Sequence, residues 1–263
     1  MRIAFIGGGA MGEAMTKCLL TKGVVTPGDI VVSDVSQPRR ELISREYGVT
    51  AVADNRKAVE ACDVIVLAVK PQHLAQVMDE VKNPLPPQTV LSIVAGAALS
   101  GLCRGLNHSS VVRAMPNMPA QIGEGMTVWT TSAEVTEKQK ETAQSILSAL
   151  GKEIYVPDEK YLDMATALSG SGPAYVFLFI EGLIDAGVHI GLPRNIAEEL
   201  VIQTVLGSAL TVKKTAKHPA ELRNMVTSPG GTTTEALLQL EKGRFRSLLY
   251  EAVAAAYEKA KNL

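Results

Sequence analysis

Two short stretches of this chain carry residue types that hold anions. Near the start, Gly7-Gly8-Gly9-Ala10-Met11-Gly12 fits G-x-G-x-x-G. It follows the apolar run Ile3–Ile6 and precedes a helical pattern, the context that makes the match meaningful. Gly7 permits the tight turn, Gly9 lets the backbone approach a pyrophosphate, and Gly12 lets helix and strand pack closely. The N–H groups and dipole of the helix start then hold the anion, with Ile6, Gly8, Ala10 and Met11 completing the loop. Without a ligand the same residues make only a tight turn.

Residues downstream bear on which dinucleotide would bind. Asp34 lies about twenty residues past the loop, at the end of a second strand, where an acid bonds a ribose 2′-hydroxyl and favours NAD. Ser36, Arg39 and Arg40 follow at once, and a guanidinium there pairs with a 2′-phosphate. The two signals conflict, and both arginines also read as a solvated helix start. With Ser36 and Arg39 or Arg40 weighed above Asp34, the expected donor is NADPH, with NADH as the alternative. Further strand ends share this edge: Asn55, then Ala68-Val69-Lys70-Pro71, then Ile93-Val94-Ala95-Gly96. Pro71 fixes the chain leaving its strand, and Lys70 is either a phosphate ligand or a surface lysine. Met115-Pro116-Asn117-Met118-Pro119 holds two prolines in one loop, a rigid shape that places Asn117 beside the nicotinamide.

The second stretch is Thr227-Ser228-Pro229-Gly230-Gly231-Thr232-Thr233-Thr234-Glu235. Thr232 and Glu235 have capping-box spacing, which makes Thr232 the expected N-cap. Gly230 and Gly231 open the backbone in front of a helix start. The result is a small anion cradle carrying hydroxyls, suited to a carboxylate or a phosphate. An ordinary capped helix after a Pro-Gly turn has the same pattern.

The four histidines, His73, His108, His189 and His218, show no metal-ligand spacing, so no metal site is expected. The three cysteines, Cys18, Cys62 and Cys103, lack CxxC spacing and suit a reducing, cytoplasmic setting. A hydride acceptor that needs a strong general acid would call for His or Lys nearby. An imine needs less, because its nitrogen can already carry the proton.

Strands and helices must alternate to bring these loops to one edge. Strand signals fall at Ile3–Ile6, Asp29–Ser33, Thr50–Ala53, Asp63–Val69, Thr89–Val94, Ser109–Met115, Thr127–Thr131 and Glu153–Val156. Helical patterns lie at Met11–Leu20, Pro38–Tyr47, Leu74–Val81 and Glu137–Leu150. β-Branched runs such as Val64–Val69 predict strands buried on both faces, hence a mostly parallel, doubly wound α/β sheet of the Rossmann-like kind. After Pro157 the pattern turns helical: Asp163–Leu168, Ala174–Ala186, Ile196–Val212, Ala220–Val226, Glu235–Lys242 and Phe245–Lys261. The expected division is a dinucleotide-binding domain over 1–157 and an all-α domain over 158–263. The helix Ala174–Ile184 is apolar nearly all round and needs cover on every side. About 100 residues supply little of that, so a partner chain is expected.

The 263 residues are 46% hydrophobic and 20% charged, too apolar for a disordered chain. Lys and Arg number 26 against 27 Asp and Glu, which argues against a nucleic-acid partner. The apolar runs Val64–Val69 and Pro173–Ile180 fall short of the roughly 20 residues of a spanning helix, so no membrane partner is expected.

Taken together these motifs resemble the pyrroline-5-carboxylate reductase family over essentially the whole length. The resemblance rests on Phe5-Ile6-Gly7-Gly8-Gly9-Ala10-Met11-Gly12, Ala68-Val69-Lys70-Pro71, Met115-Pro116-Asn117 and Leu168-Ser169-Gly170-Ser171-Gly172-Pro173-Ala174-Tyr175. Its most specific part is Val226-Thr227-Ser228-Pro229-Gly230-Gly231-Thr232-Thr233. It implies reduction of 1-pyrroline-5-carboxylate to proline by NADPH or NADH, in a homodimer or higher homo-oligomer whose helical domains interlock. It further implies an active site between the domains. There Gly230, Gly231, Thr232 and Thr233 hold the substrate carboxylate, Thr233 lies near the ring nitrogen, and Glu159 belongs to the substrate pocket.

Two other functions share part of this pattern. A β-hydroxyacid dehydrogenase has a similar plan but carries a catalytic lysine after its second glycine motif. Here Gly170–Gly172 is followed by Pro173-Ala174-Tyr175-Val176-Phe177-Leu178, without lysine. A non-catalytic dinucleotide sensor would keep the glycine loop and need no second anion cradle.

Overall fold

The computed structural model describes residues 1–82 and 88–262. Its residues group into two compact units, Met1–Ser171 with Ala256–Leu263, and Gly172–Ala255.

The first unit is built on eight strands: β1 (Ile3–Ile6), β2 (Ile30–Ser33), β3 (Thr50–Val52), β4 (Val64–Leu67), β5 (Thr89–Ser92), β6 (Val111–Met115), β7 (Gly125–Thr131) and β8 (Gly151–Tyr155). They form one sheet in the order β3-β2-β1-β4-β5-β6-β7-β8. Its helices are α1 (Ala10–Thr21), α2 (Gln37–Tyr47), α3 (Asn55–Val59), α4 (Leu74–Glu80), α5 (Leu99–Leu106), α6 (Glu137–Ser148) and α7 (Lys160–Ala165). Side chains alternate across the sheet. Ile3 and Phe5 join Met15, Leu19 and Ile43 on one face, whereas Ala4 and Ile6 join Val77, Leu102 and Leu106 on the other. Because both faces are covered, β1 and β4 are apolar throughout.

Every strand pair is parallel except β6–β7. Only a 3-10 turn at Met118–Ile122 lies between these two strands. A parallel return needs a crossover of about a dozen or more residues. The sequence reading also omitted α3 and α5. It began α7 too late, because the helix opens at Lys160 and passes into a π-helical turn over Thr166–Gly170.

Strand order reverses between β1 and β4, and registers place Ile6 beside Leu67 and Leu67 beside Ser92. The chain therefore leaves these strands at Gly7, Ala68 and Ile93 along one edge, where doubly wound sheets bind ligands.

The second unit contains α8 (Gly172–His189), α9 (Arg194–Thr215), α10 (Pro219–Met225), α11 (Thr232–Lys242) and most of α12 (Phe245–Ala260). A Cβ on Gly187 would lie 3.1 Å from that of Ala197, so glycine lets α8 and α9 pack closely. Ala197 is the only buried apolar side chain of this unit among the described residues. Phe177 and Leu178 on α8 are 50% and 69% exposed. Such a unit lacks a core of its own and leaves apolar area for a partner. By length and composition alone, the helical stretch Lys160–His189 is also apolar enough to cross a membrane. Counting unbroken apolar runs did not show this, because isolated polar residues interrupt the stretch.

Candidate active site

The glycine loop is fixed by the sheet and by its neighbours. Gly7 donates to the Ser33 carbonyl at 2.8 Å, and its φ of 104° lies in the region glycine favours. A Cβ there would also stand 2.7 Å from the Ala68 carbonyl oxygen. One on Gly12 would strike the Gly7 carbonyl. One on Gly9 would meet nothing within 4 Å, so the loop is open on that side. Gly9 is the N-cap of α1 and offers no side chain, which leaves the first N–H groups of the helix facing outward. A cradle with clear space over Gly9 and a helix start behind it fits a pyrophosphate.

Beside the loop lies a cavity of about 410 Å³. Of the residues expected at the dinucleotide, Ile6, Gly7, Gly9, Asp34, Asn55, Ala68, Val69 and Lys70 line it. The structure adds Val35, Gln76, Val77 and Glu80, and includes His73. Val35 is 90% exposed, an apolar side chain left at a strand end. Its place between Asp34 and Ser36 was the available signal. Gly8, Ala10, Met11, Gly12, Ser36, Arg39, Pro71, Val94, Ala95 and Asn117 do not line this cavity.

Several expected ligands are already engaged. Asp34 accepts the Gly8 N–H at 2.9 Å with one oxygen and the Ser36 N–H at 2.8 Å with the other. Arg39 donates to the Gly8 carbonyl and pairs with Glu13, whose other oxygen accepts the Tyr47 hydroxyl at 2.8 Å. Burial pushes the Glu13 carboxyl up, but its bonds from Arg39 and Tyr47 outweigh this and hold it below the usual value. Burial and the Glu13 carboxylate push the Tyr47 phenol up to about 12. Arg40 donates to the carbonyls of Asp34 and Val35 at 2.8 and 3.0 Å. Asn55 accepts from Ser33 and donates to Glu80 at 2.6 Å. Asn117 accepts the Met126 N–H at 2.8 Å and donates to the Ser169 carbonyl at 3.0 Å, tying its loop to the π-helical turn. These residues shape the site as a scaffold.

Glu159 shares the first unit with a buried arginine that the sequence reading did not single out. Arg113, on β6, donates to Glu159 at 2.7 Å and to Asp163 at 3.0 Å, with its side chain 7% exposed. A lone cation inside Val111–Met115 was the available signal. The same Glu159 oxygen accepts the Leu99 N–H at 2.7 Å. Its Oε2 has no partner among the described residues.

In the second unit, Gly231 and not Thr232 is the N-cap of α11, and no capping box forms. Thr232 is the first helical residue, so the N-cap has no hydroxyl and N3 is Thr234, not Glu235. The turn is closed instead by the Gly231 N–H and the Thr234 hydroxyl, which both donate to the Ser228 carbonyl, at 3.1 and 2.8 Å. Gly230 has φ 67°, and a Cβ on Gly231 would meet Ser228 Oγ at 2.5 Å. The positive φ selects glycine at 230, and at 231 the Ser228 hydroxyl occupies the space a Cβ would take. The Thr234 N–H reaches back to the Gly231 carbonyl at 3.1 Å. The N–H groups of Thr232 and Thr233 precede it at the helix start and have no partner among the described residues, nor have their hydroxyls. Two adjacent N–H donors and two hydroxyls match a carboxylate next to a further polar atom.

Residues 159–263 match the family model described as pyrroline-5-carboxylate reductase dimerisation, and residues 2–96 match NADP oxidoreductase coenzyme F420-dependent. The pyrroline-5-carboxylate reductase of Synechocystis sp. is 42% identical over 263 residues, spanning all of this chain and 98% of that one. A Coxiella burnetii pyrroline-5-carboxylate reductase structure superposes with TM-score 0.91 at 39% identity, over 99% of this chain and 97% of that one. The Plasmodium falciparum pyrroline carboxylate reductase structure, with NADP bound, superposes with TM-score 0.91 at 34% identity, over 100% of this chain and 97% of that one. With residues 159–263 matched to its dimerisation model and full-length relatives at this identity, the chain belongs to the pyrroline-5-carboxylate reductase family.

Proposed function

We propose that this protein reduces 1-pyrroline-5-carboxylate to L-proline with NADPH, the last step of proline biosynthesis, as a cytoplasmic homo-oligomer. The observation that carries this reading is the coexistence of two anion cradles: a dinucleotide-type glycine loop and the Gly230–Thr233 helix start. We assign 1–157 to cofactor binding and 158–263 to substrate binding and dimerisation. This assignment is supported by the last strand ending at Tyr155 and the dimerisation match starting at 159.

NADPH, when bound, supplies a hydride to the C=N carbon. The N–H groups at the start of α1 hold its pyrophosphate, with Asp34 and Arg39 bracing the Gly8 peptide behind them. Val94, Ala95 and Asn117 shape the strand-end turns, and Lys70 supplies a cation at the cavity wall. In the second unit the N–H groups of Thr232 and Thr233 hold the substrate carboxylate, and Gly230 and Gly231 give it access. Orienting the imine in this way is worth several kcal/mol of the barrier. The Thr233 hydroxyl hydrogen-bonds the ring nitrogen, whose charge changes as the carbon is reduced. Since an iminium nitrogen already carries its proton, no strong general acid is required. Glu159 is assigned to substrate binding through Oε2, which has no partner among the described residues.

Incubation with NADPH and 1-pyrroline-5-carboxylate should consume both and form proline in equal amounts, with a lower kcat/KM for NADH. NADPH bound without proline formation would favour a dinucleotide sensor. Turnover of β-hydroxyacids in its place would favour the dehydrogenase reading.

A further inference from the structure

We propose that Glu159, held by Arg113, is a positioning residue that caps helix α5 and fixes the β5–α5 turn for the cofactor. α5 opens after Ala98, whose side chain cannot accept a hydrogen bond, so the helix has no local cap. Its first N–H, on Leu99, is taken by the Glu159 carboxylate 60 residues further along the chain, at 2.7 Å. A carboxylate at this end also opposes the positive pole of the helix.

Arg113 determines where that carboxylate stands. Its guanidinium binds Glu159 through Nη1 and Asp163 through Nη2, at 2.7 and 3.0 Å. Glu159 is the residue preceding α7, and Asp163 lies in the first turn of that helix. One side chain on β6 thus fixes the start of α7, and α7 hands a carboxylate to α5. Burying one cation with two anions is costly, and such clusters are poor sources of stability. The geometry points to placement.

What is placed is the turn Ile93–Ala98. Its first end is tied to the sheet, where the Ile93 N–H donates to the Leu67 carbonyl at 3.1 Å. Its other end is the Leu99 N–H bound to Glu159. Arg113 pairs in register with Ser92, the last residue of β5, so the cluster acts on the strand that launches the turn. Val94 and Ala95 lie within this turn, on the edge that carries Gly7 and Ala68. The proposal rests on the reading that this edge binds the dinucleotide.

Leu99→Pro removes the N–H and sets its Cδ against the Glu159 oxygen that now sits 2.7 Å from that nitrogen, so it expels the carboxylate while keeping a helix start. Proline is tolerated at the first helical position, and Ala98 already has φ −66° and ψ 146°, the conformation a preceding residue adopts. Leu99→Ala loses the same side-chain packing and keeps the donor. NADPH titrations of the full-length protein should show Leu99→Pro binding about tenfold more weakly than Leu99→Ala, with both variants keeping the circular-dichroism spectrum of the parent. Glu159→Gln, which keeps an acceptor and loses the charge, should fall between parent and Leu99→Pro. NADPH affinities of Leu99→Pro and Leu99→Ala within twofold of each other would overturn the proposal while leaving the dinucleotide reading intact. A parent protein that does not bind NADPH would overturn that reading, and this proposal with it.

Discussion

Asp34 accepts the Gly8 N–H at 2.9 Å, so the acid at the end of β2 braces the glycine loop from behind. Its second oxygen holds the Ser36 N–H at 2.8 Å. Asp34→Ala leaves both donors without their partner and loosens the loop whichever dinucleotide binds. Hydrogen bonds to a charged group are worth about 1.5–3 kcal/mol. Dissociation constants for NADPH and NADH should therefore both rise by roughly tenfold or more. Isothermal titration checks this, and a loss confined to NADH would show that Asp34 acts through the ribose hydroxyl alone.

The two arginines of α2 should separate. Arg39 is committed to the Gly8 carbonyl and to Glu13, so Arg39→Ala should weaken NADPH and NADH alike. Arg40 uses one nitrogen on the Asp34 and Val35 carbonyls and keeps donors free beside Ser36. Arg40→Ala should raise the KM for NADPH several-fold more than that for NADH. Equal effects on both cofactors would remove Arg40 as the 2′-phosphate partner.

The Glu13–Tyr47 bond carries a pH signature. Tyr47 is raised from its ordinary value of 10 to about 12, so the stability it contributes is complete below pH 10. That contribution is lost as pH rises through about 12. Glu13 is shifted down, so its own contribution is present above 4.5 and is lost as pH falls through its folded value. Tyr47→Phe should flatten the alkaline fall in stability between pH 10 and 12 and, by removing one of the bonds that hold Glu13 down, should also weaken the acid limb. Parallel alkaline limbs in denaturant titrations of parent and variant would contradict the assignment.

The strands were legible because parallel strands buried on both faces read as unbroken β-branched runs, as at Val64–Leu67. α5 was not legible. Gly101 and Gly105 lower its helix propensity, yet at Gly105 the Met78 side chain packs into the space a Cβ would take, with Sδ 2.6 Å from it. Tertiary packing had overridden local preference. The antiparallel β6–β7 step was readable in principle, since Met115 and Gly125 lie too close in sequence for a crossover. Residue types located the glycine loop and the Gly230–Thr233 cradle, because positive φ and close approach select glycine. They did not reveal that Asp34 and Asn117 spend their polar atoms on backbone, and Arg39 on the Gly8 carbonyl and Glu13, since most of those partners come from other elements. Thr234 shows the same limit: an apparently spare hydroxyl in fact closes the Ser228 turn.

The exposed apolar helices should make folding concentration-dependent. The family match makes the helical half a dimerisation domain, and its α8 leaves Val176, Phe177, Leu178 and Phe179 largely uncovered in a single chain. Melting temperature should rise with protein concentration. Light scattering should give a multiple of 27.9 kDa. A stable, active species of that mass at low concentration would contradict this.

The central claim is that the start of α11 holds the substrate, and Thr233→Ala tests it most directly. The substitution keeps the backbone N–H and removes only the hydroxyl assigned to the ring nitrogen. At 1.36 kcal/mol per decade, a bond of about 1.5–3 kcal/mol corresponds to a loss of roughly 10- to 200-fold in kcat/KM for 1-pyrroline-5-carboxylate. NADPH affinity should stay unchanged, because the glycine loop is untouched. A kcat/KM within twofold of the parent, or a loss of NADPH binding equal to the loss of turnover, would contradict the assignment of this helix start as the substrate site.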